Sequence, residues 1–379
     1  MNKYQCNWID KGISISHRGV SYCCINNIRN PITKNVIKDF LFGIERKSTI
    51  EKSNNNQTIK GCEGCYNEES KQTTSDRIFA QEYDALDIKK YPRIMLVDFS
   101  NFCNLKCVMC DHKRSSQWAK ETSNVKNGIL TVPYDLLNDT VSISKNLDTL
   151  IIQGGEPTIM EENIYFLEQL HKKDYAKNIN IRLTTNGTTL YAPFYDLLKY
   201  FKTVRIQVSI DSYSLANDYI RWPSKFEHIE KNMIALSEYS DNFTVEIHNT
   251  INILSMFNFK DFLFWCKKIE RFYHEKNKTL KVVHSKVLNP ILYSPYYAPE
   301  ILKEYFVKDV LTFFMNDTLA DNGYFKTEMQ IFLKSIKNFK TGLKVIEHNK
   351  ILLLEKIDYI DKERSIKIND YIPTFHDYF

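Results

Sequence analysis

Three cysteines within eight residues are the first feature of this sequence that could do chemistry. They are Cys103, Cys107 and Cys110, in the stretch CNLKCVMC, with three and then two residues between them. Four ligands close a tetrahedral zinc site, and His112 is available as the fourth. Three thiolates on a 4Fe–4S cluster instead leave one iron open to a small molecule that can receive an electron. The spacing alone leaves both sites possible.

Glycines and polar residues follow apolar runs further along the sequence. Gly154-Gly155-Glu156-Pro157 follows TLIIQ, Asn186 lies in LTTNG, and Ser209 and Asp211 lie in VSID. Glycine lets a backbone approach a ligand closely, and a carboxylate suits an ammonium group. Arg221, in YIRW, offers a planar fork of donors that suits a carboxylate. Taken singly, each is equally well explained as a turn residue or a surface ion pair.

A second group of cysteines lies near the amino terminus: Cys6, Cys23, Cys24, Cys62 and Cys65. Eight of the nine cysteines fall within the first 110 residues, which favours a metal or catalysis over disulfides in a reducing compartment. Four thiolates close a site completely, but their spacing does not distinguish zinc from an iron–sulfur cluster. The ninth, Cys266 in FLFWCKK, is expected to be a core residue.

Short apolar runs alternate with helical patterns between residues 93 and 287, which predicts an α/β fold around a parallel sheet. The six predicted strands are RIMLVDFS (93–100), DTLIIQG (148–154), INIRLTTN (179–186), VRIQVSID (204–211), FTVEIHNTINI (243–253) and LKVVHSKVL (280–288). Each connection is long enough for a crossover helix. Such a pattern fits either an open doubly wound sheet or an incomplete barrel, and both gather ligand-binding loops at the carboxyl ends of the strands.

The segments on either side have different patterns. GISIS and VSYCC predict a hairpin, a helix is expected near NVIKDFLFGIERK, and the polar stretch STIEKSNNNQTIKG is expected to be a loop. The last segment lacks cysteine and has mostly helical patterns. The predicted domains are residues 1–78, a small α+β module, residues 90–290, the main α/β domain, and residues 291–379, a helical extension.

The C-x-x-x-C-x-x-C loop after the first main strand resembles that of the radical S-adenosylmethionine (SAM) superfamily, over roughly residues 93–290. The resemblance implies a partial (β/α)6 TIM-type barrel with a 4Fe–4S cluster on Cys103, Cys107 and Cys110. It also implies reductive cleavage of SAM to a 5'-deoxyadenosyl radical, which abstracts a hydrogen atom from the substrate. The SAM-binding residues that it implies are Met109, where relatives often have an aromatic residue, Gly154, Gly155, Glu156, Asn186, Ser209, Asp211 and Arg221.

The amino-terminal cysteines resemble those of SPASM and twitch accessory domains. Cys6, Gly19 and Cys24 have the C-to-G-to-C spacing, and Cys62 and Cys65 supply the later pair. The resemblance implies an auxiliary 4Fe–4S cluster on Cys6, Cys24, Cys62 and Cys65, with Cys23 as the alternative to Cys24. Its position before the barrel, with Ser75 and Arg77 after the later pair, resembles an N-terminal twitch subset. A zinc ribbon remains the alternative for these cysteines.

A fully ligated second cluster would suit an oxidation, because it can accept an electron from a substrate radical. A structural role in supporting the substrate pocket is the alternative. Relatives with such modules modify peptides or proteins, and others oxidise an alcohol on a sugar or an aminocyclitol. The resemblance therefore predicts a radical SAM oxidoreductase that modifies a peptide or protein, with dehydrogenation of a small alcohol or sugar-type metabolite as the alternative. A flavodoxin or a ferredoxin is the expected reductase.

Charge and hydropathy bear on the other function classes. The formal charge of +5 falls to roughly +2 once two thiolate-bound clusters are counted, so a nucleic-acid partner is not expected. The sequence has no apolar run of membrane-spanning length, and MNKYQCNWIDKG lacks a secretory apolar core, so we expect a cytoplasmic protein without a membrane partner. A non-catalytic protein that binds zinc or an iron–sulfur cluster is the rival from another class. A SAM methyltransferase would need no three-cysteine loop.

Overall fold

The structure is a computed structural model that describes residues 4–70, 74–122, 128–317, 319 and 323–379. Its strands are β1 Gly12–Ser16, β2 Gly19–Ser21, β3 Ile94–Asp98, β4 Thr149–Ile152, β5 Asn180–Thr185, β6 Thr203–Ser209, β7 Phe243–Ile251 and β8 Leu280–Lys286. Over the described residues they form one sheet in the order β2-β1-β3-β4-β5-β6-β7-β8. The predicted α/β class is confirmed, whereas closure into a partial barrel stays a prediction.

The six strands predicted for the main domain are all present, and each ends one or two residues earlier than predicted. Gly154, Asn186 and Asp211 therefore belong to loops, whereas Ser209 is the last residue of β6. All five residues of β3 are buried, as expected of a parallel strand covered on both faces. Residues of β1 pair in parallel with β3, from Gly12 opposite Ile94 to Ser16 opposite Asp98. The amino-terminal hairpin is thus part of the main sheet.

Fifteen α-helices lie in the described residues. They are α1 Asn7–Lys11, α2 Val36–Phe42, α3 Ile44–Asn54, α4 Glu63–Ser70, α5 Asp76–Phe79, α6 Ser116–Thr122, α7 Tyr134–Ile143, α8 Glu161–Lys172, α9 Ala192–Leu198, α10 Ser214–Ile220, α11 Phe226–Leu236, α12 Phe259–Glu275, α13 Glu300–Asn316, α14 Tyr324–Asn338 and α15 Leu343–Arg364. The prediction of a loop over STIEKSNNNQTIKG is wrong for its first half, because α3 continues to Asn54. Ser53 is buried there and donates a hydrogen bond to the Tyr4 carbonyl.

The chain divides into two compact units. The first comprises Met1–Cys103, His112–Leu183 and Tyr191–Arg205, and the second comprises Asn104–Asp111, Thr184–Leu190 and Ile206–Phe379. In the first unit, one apolar cluster combines the amino-terminal segment with β3, since Trp8, Ile9 and Cys23 pack with Ile94 and Leu96. The ranges 1–78, 90–290 and 291–379 remain a prediction of domain organisation. None of the described helices has both the length and the apolar content needed to cross a membrane.

Candidate active site

Cys103 lies in the first unit, at the end of the segment that follows β3. Its N–H donates to Ser116 Oγ at 3.2 Å, and its carbonyl accepts from Ser116 Oγ at 3.3 Å and from Gln117 Nε2 at 3.2 Å. Ser116 and Gln117 are the first residues of α6. The start of this helix therefore fixes the backbone at Cys103, whose side chain is buried.

The glycine pair after β4 packs against the backbone that leads to Cys103. The N–H of Gly155 donates to the Ser100 carbonyl at 3.1 Å, and the N–H of Glu156 donates to the Phe102 carbonyl at 2.8 Å. A Cβ atom on Gly155 would lie 2.2 Å from the Phe102 oxygen, and Gly154 has a φ of +136°. Because no side chain fits at either position, this close approach requires both glycines.

Glu156 uses its carboxylate within its own turn. It is the N-cap of the short 3-10 turn Pro157–Ile159, and its Oε1 accepts from the Thr158 N–H at 3.2 Å and from the Thr158 hydroxyl at 2.6 Å. The side chain is buried. The sequence argument paired this carboxylate with an ammonium group, but in the structure Oε1 stabilises the turn that holds the glycine pair.

Cys107 and Cys110 lie together in the second unit. The N–H of Cys110 donates to the Cys107 carbonyl at 3.1 Å, and Met109, half-buried, lies in the turn between them. The hydrogen bond with Cys110, together with burial, raises the pKa of the Cys107 thiol well above its usual value of 9.0, while the nearby Arg221 acts to lower it. Two of the three predicted cluster ligands are therefore neighbours in this unit.

Asp211 and Arg221, predicted as separate SAM contacts, form one buried ion pair in the same unit. Arg221 Nε is 2.8 Å from Asp211 Oδ2. Burial acts to lower the pKa of Arg221, but the charge of Asp211 outweighs it and the pKa is raised, so the guanidinium keeps its charge. Asp211 Oδ1 also accepts from the N–H of Thr250 on β7 at 3.0 Å. Ser209 is the half-buried last residue of β6.

Asn186 connects the LTTNG turn to the cysteine loop. Its Nδ2 donates to Asn104 Oδ1 at 2.8 Å, and its Oδ1 accepts from the N–H and the hydroxyl of Thr188 at 2.9 and 2.7 Å. Asn104 Nδ2 in turn donates to Thr188 Oγ1 at 2.8 Å. The observed role of Asn186 is thus to position the loop that carries Cys107 and Cys110.

Sequence reasoning missed a second support of this loop. Arg364, the last residue of α15, donates from Nη2 to the Lys106 carbonyl at 2.7 Å and from Nη1 to the Tyr219 carbonyl at 2.8 Å. Its guanidinium carbon also lies 5.7 Å from the ring centroids of Tyr219 and Trp222. No motif in the helical extension indicated this contact, and 258 residues separate Arg364 from Lys106.

Four amino-terminal cysteines line one cavity of the first unit: Cys6, Cys23, Cys62 and Cys65. Burial raises the pKa of each thiol, that of Cys6 to about 12. The charges of Cys62 and Cys65 also act to raise the pKa of Cys6, and the charge of Cys6 acts to raise the pKa of Cys23, as expected of thiols that lie close together. Asn26 Nδ2 lies 3.7 Å from Cys62 Sγ, to which it donates. The structure thus gathers four thiols around one cavity.

Cys24, which the spacing favoured over Cys23, has different neighbours. It is absent from the described residues that line the cavity, and its carbonyl accepts from Arg29 Nη2 at 3.2 Å. Burial, followed by the charge of Asp76, raises the pKa of its thiol to about 11, while Arg114 and Arg29 act in the opposite direction. The cavity is thus lined by Cys23 and not by Cys24, although both cysteines pack in the apolar cluster that contains Cys6.

Arg77 connects two of the cysteine segments. It donates from Nη1 to the carbonyl of Gln5, next to Cys6, at 3.1 Å, and from Nε to Glu69 at 2.9 Å. Glu69 lies on α4, the helix that carries Cys65, and also accepts from the Ser75 hydroxyl. Ser75 and Arg77 therefore help to position the wall of the cavity.

His112, the candidate fourth ligand of a zinc site, and Cys266, the ninth cysteine, both have defined positions in the structure. The carbonyl of His112 accepts from Asn101 Nδ2 at 2.9 Å, so this segment of backbone packs on the strand-end loop of the first unit. Cys266 is fully buried on α12, where it was expected in the core. Over the part of the chain that the structure describes, no three Cys, His, Asp or Glu residues form a group suited to a single metal ion.

Two sequence comparisons bear on these residues. Residues 97–265 match the family model of the radical SAM superfamily. The GTP 3',8-cyclases of Sulfurimonas denitrificans and Sulfurovum sp. are 27% and 28% identical to this chain over 128 and 116 residues, which are 33% and 31% of this chain and 37% and 33% of those proteins. The enzyme of Alkaliphilus oremlandii is 30% identical over 128 residues, 31% of this chain and 34% of that protein.

The match to the radical SAM superfamily model is limited to residues 97–265. The matched segment contains the three-cysteine loop, the glycine pair and the Asp211–Arg221 pair. The chain spans about a third of the length of these curated relatives.

Two solved structures are also similar. Native anSMEcpe with bound AdoMet has a TM-score of 0.39 at 19% identity, over 58% of this chain and 59% of that one. SuiB of Streptococcus suis bound to S-adenosylmethionine has a TM-score of 0.39 at 15% identity, over 81% of this chain and 69% of that one.

Proposed function

We propose that this protein is a radical SAM enzyme, which cleaves SAM reductively and abstracts a hydrogen atom from a substrate. Cys103, Cys107 and Cys110 are the proposed ligands of its 4Fe–4S cluster. The proposed SAM-binding residues are Met109, Gly154, Gly155, Glu156, Asn186, Ser209, Asp211 and Arg221. The match of residues 97–265 to the superfamily model supports the assignment.

The observation that carries the proposal is the approach of Gly155 to the backbone that enters Cys103. A ligand that contacts the glycine pair and an iron bound at Cys103 would be neighbours in the first unit, because Gly155 and Glu156 hydrogen-bond to Ser100 and Phe102. The donor set also fits the group. These three thiolates would hold a 4Fe–4S cluster with one iron left open, and such a cluster would supply the electron for reductive cleavage of SAM.

The chain's own residues would bind and orient SAM. Arg221 keeps its charge beside Asp211, so it can hold a carboxylate while Asp211 prevents it from being a lone buried cation. The glycines would offer backbone groups to the ammonium end, and the thioether of Met109 would pack on the adenine. Asn186 and Arg364 would hold the cysteine loop in place. Burial of Cys103 and Cys107 would help to exclude water.

For the auxiliary centre we propose Cys6, Cys23, Cys62 and Cys65 as ligands of a second 4Fe–4S cluster, with Cys23 in place of Cys24. The four thiols line one cavity, and burial keeps them neutral in the absence of a metal. A bound metal lowers thiol pKa values and so favours the thiolates. An N-terminal twitch module is the architecture that this proposal implies.

The substrate class proposed from the sequence resemblance is a peptide or protein that undergoes oxidative modification. A small alcohol or sugar-type metabolite is the alternative, and a flavodoxin or a ferredoxin would be the reductase. We keep a cytoplasmic location, and the absence of membrane and nucleic-acid partners, as predictions.

The test is an anaerobic assay of 5'-deoxyadenosine. The purified protein is reconstituted with iron and sulfide and given SAM and dithionite, beside a Cys103→Ala, Cys107→Ala, Cys110→Ala variant. A Cys266→Ala variant is the matched control, since it also removes a buried thiol. We expect the product from the wild type and from the control, and none from the triple variant. Tightly bound zinc in place of iron would overturn the proposal.

A further inference from the structure

His17, Arg18 and Asp98 meet at the carboxyl ends of two parallel strands of the first unit. His17 and Arg18 follow β1, and Asp98 is the last residue of β3. A Cβ atom on Gly154, after the next strand β4, would lie 3.0 Å from Asp98 Oδ1, so the carboxylate packs directly against the glycine pair. Parallel α/β folds place their ligands at this edge of the sheet.

Three buried side-chain atoms of this cluster lack hydrogen-bond partners among the described residues. Arg18 Nη2 donates to Asp98 Oδ2 at 2.9 Å, and His17 Nδ1 lies 3.3 Å from the Asp98 carbonyl and 3.4 Å from Oδ1. Because both groups facing Nδ1 are acceptors, Nδ1 carries the proton. Arg18 Nε is a buried donor without a hydrogen-bond partner among the described residues, and His17 Nε2 and Asp98 Oδ1 lack partners there too. An imidazole with its single proton on Nδ1 offers Nε2 as an acceptor, so Arg18 is the group of this cluster that would bind an anion. Leaving such a group unpaired costs about 1–3 kcal/mol, so its place in the fold needs a reason.

An unpaired Nε alone would not indicate a ligand, because Arg93, at the amino end of β3, has one too. Arg93, however, faces two carboxylates, Asp87 at 3.3 Å and Asp148 at 4.0 Å. Arg18, in contrast, pairs with one carboxylate, Asp98, on which a second guanidinium group, that of Arg114, also acts. Both arginines therefore have an unpaired Nε atom, but only Arg93 has two carboxylates to balance its charge.

More than one guanidinium group acts on Asp98. Besides Arg18, Arg114 acts on the Asp98 carboxylate. Burial, and next the charge of Arg18, lowers the pKa of Arg29, while Asp98 acts to raise it. The mutual repulsion of these cations would be relieved by an anion, and guanidinium donors match the oxygens of carboxylates and phosphates. Arg18 retains 25% side-chain exposure, so an incoming group can reach it.

We propose that Arg18, with His17 beside it and Asp98 positioning both, binds an anionic oxygen group of the substrate, a carboxylate or a phosphate. That the bound anion is part of a substrate rests on the proposed function, whereas the anion site itself does not. We call His17, Arg18 and Asp98 the strand-end triad. Neutral sugars and alcohols carry no such anionic group. The triad therefore favours substrates that contain a carboxylate or a phosphate.

The test measures binding and needs no turnover. Full-length, iron-loaded protein is dialysed to equilibrium, without oxygen, against radiolabelled inorganic phosphate or acetate in a low-salt buffer. We expect the wild type to bind one equivalent of at least one of the two anions, and the preferred anion separates the phosphate from the carboxylate. Arg18→Gln should weaken binding at least tenfold, whereas Arg93→Gln, the matched control, should stay within twofold of the wild type.

Two results would overturn the inference: binding of neither anion by the wild type, or equal binding by the wild type and Arg18→Gln. If circular dichroism shows that Arg18→Gln is unfolded, Arg18→Lys decides instead. It keeps the charge but loses the planar donors, so we expect at least threefold weaker binding, and unchanged affinity would count against the triad. A wild type that binds anion but never cleaves SAM contradicts the proposed function alone. One that cleaves SAM but binds no anion contradicts this inference alone.

Discussion

Arg364 donates a 2.7 Å hydrogen bond to the carbonyl of Lys106, inside the loop that carries Cys107 and Cys110. Two further bonds hold the same loop, because the N–H groups of Lys106 and Val108 donate to the carbonyls of Trp222 and Ile220. The end of α15 thus stabilises the proposed cluster loop directly. The helical extension, for which the sequence offered no role, supports the site.

Replacement of Arg364 by alanine should loosen this loop. Two buried carbonyls would lose a charged donor, and a hydrogen bond to a charged group contributes about 1.5–3 kcal/mol. We expect a lower free energy of unfolding, measured by urea titration, and faster loss of iron from the reconstituted protein. Arg271→Ala, on the exposed surface of α12, is the control and should change neither. Equal iron retention in both variants would contradict a role in holding the loop.

Gly155→Ala should disrupt the approach of the glycine pair to the cysteine segment. The added methyl group would meet the Phe102 carbonyl oxygen at 2.2 Å, which forces a backbone shift. Overpacking of this kind costs about 1–3 kcal/mol. Gly342→Ala is a matched control, since a Cβ atom there has nothing within 4 Å. We expect SAM affinity, measured by equilibrium dialysis, to fall at least tenfold in the first variant only.

The cavity of four thiols predicts a difference between two adjacent cysteines. In a Cys103→Ala, Cys107→Ala, Cys110→Ala background, any remaining cluster belongs to the auxiliary site. There, Cys23→Ser should lower the iron content well below the roughly four atoms of one 4Fe–4S cluster, and Cys24→Ser should leave it unchanged. Iron analysis and electron paramagnetic resonance of the reduced protein check this. If Cys24→Ser loses iron and Cys23→Ser retains it, Cys24 is the ligand, as the sequence spacing predicted.

Acid should weaken the fold through Asp98. Burial acts to raise the pKa of Asp98, but the hydrogen bond and charge of His17 and the charges of Arg18 and Arg114 outweigh it, so the pKa lies below its usual value of 3.8. A lowered pKa means that the stabilisation is present above about pH 4 and is lost as the pH falls through the folded-state value. We expect the free energy of unfolding of the wild type to fall more steeply below pH 4 than that of Asp98→Asn. Parallel pH profiles would show that the carboxylate does not contribute.

Local patterns predicted the strands well, because near-continuous apolar runs such as IMLVD fit a parallel strand buried on both faces. The pairing of β1 with β3 was missed, since residues 12–16 and 94–98 lie far apart in sequence and no local pattern records which strands become neighbours. The three-cysteine loop and the glycine pair were identified by spacing and residue type.

Side-chain assignments were harder to make. The choice between Cys23 and Cys24 depends on which way two consecutive thiols point, and spacing carries no such information. The Oε1 atom of Glu156 accepts hydrogen bonds from Thr158, two residues later, and this contact competes with any ligand. The contact of Arg364 with the Lys106 carbonyl could not be predicted, because a long-range contact at the end of a helix produces no local sequence motif.

The parallel pairing of β1 with β3 also bears on how this chain can be divided. A fragment that began after residue 78 would lack the two strands that cover one side of β3, and its fully buried run IMLVD would become an open sheet edge. Unpaired apolar edges recruit strands from other molecules and lead to aggregation. In the native chain β2, three residues long, is the outermost strand, too short to offer much backbone to a neighbour. The amino-terminal hairpin thus shields the sheet against self-association.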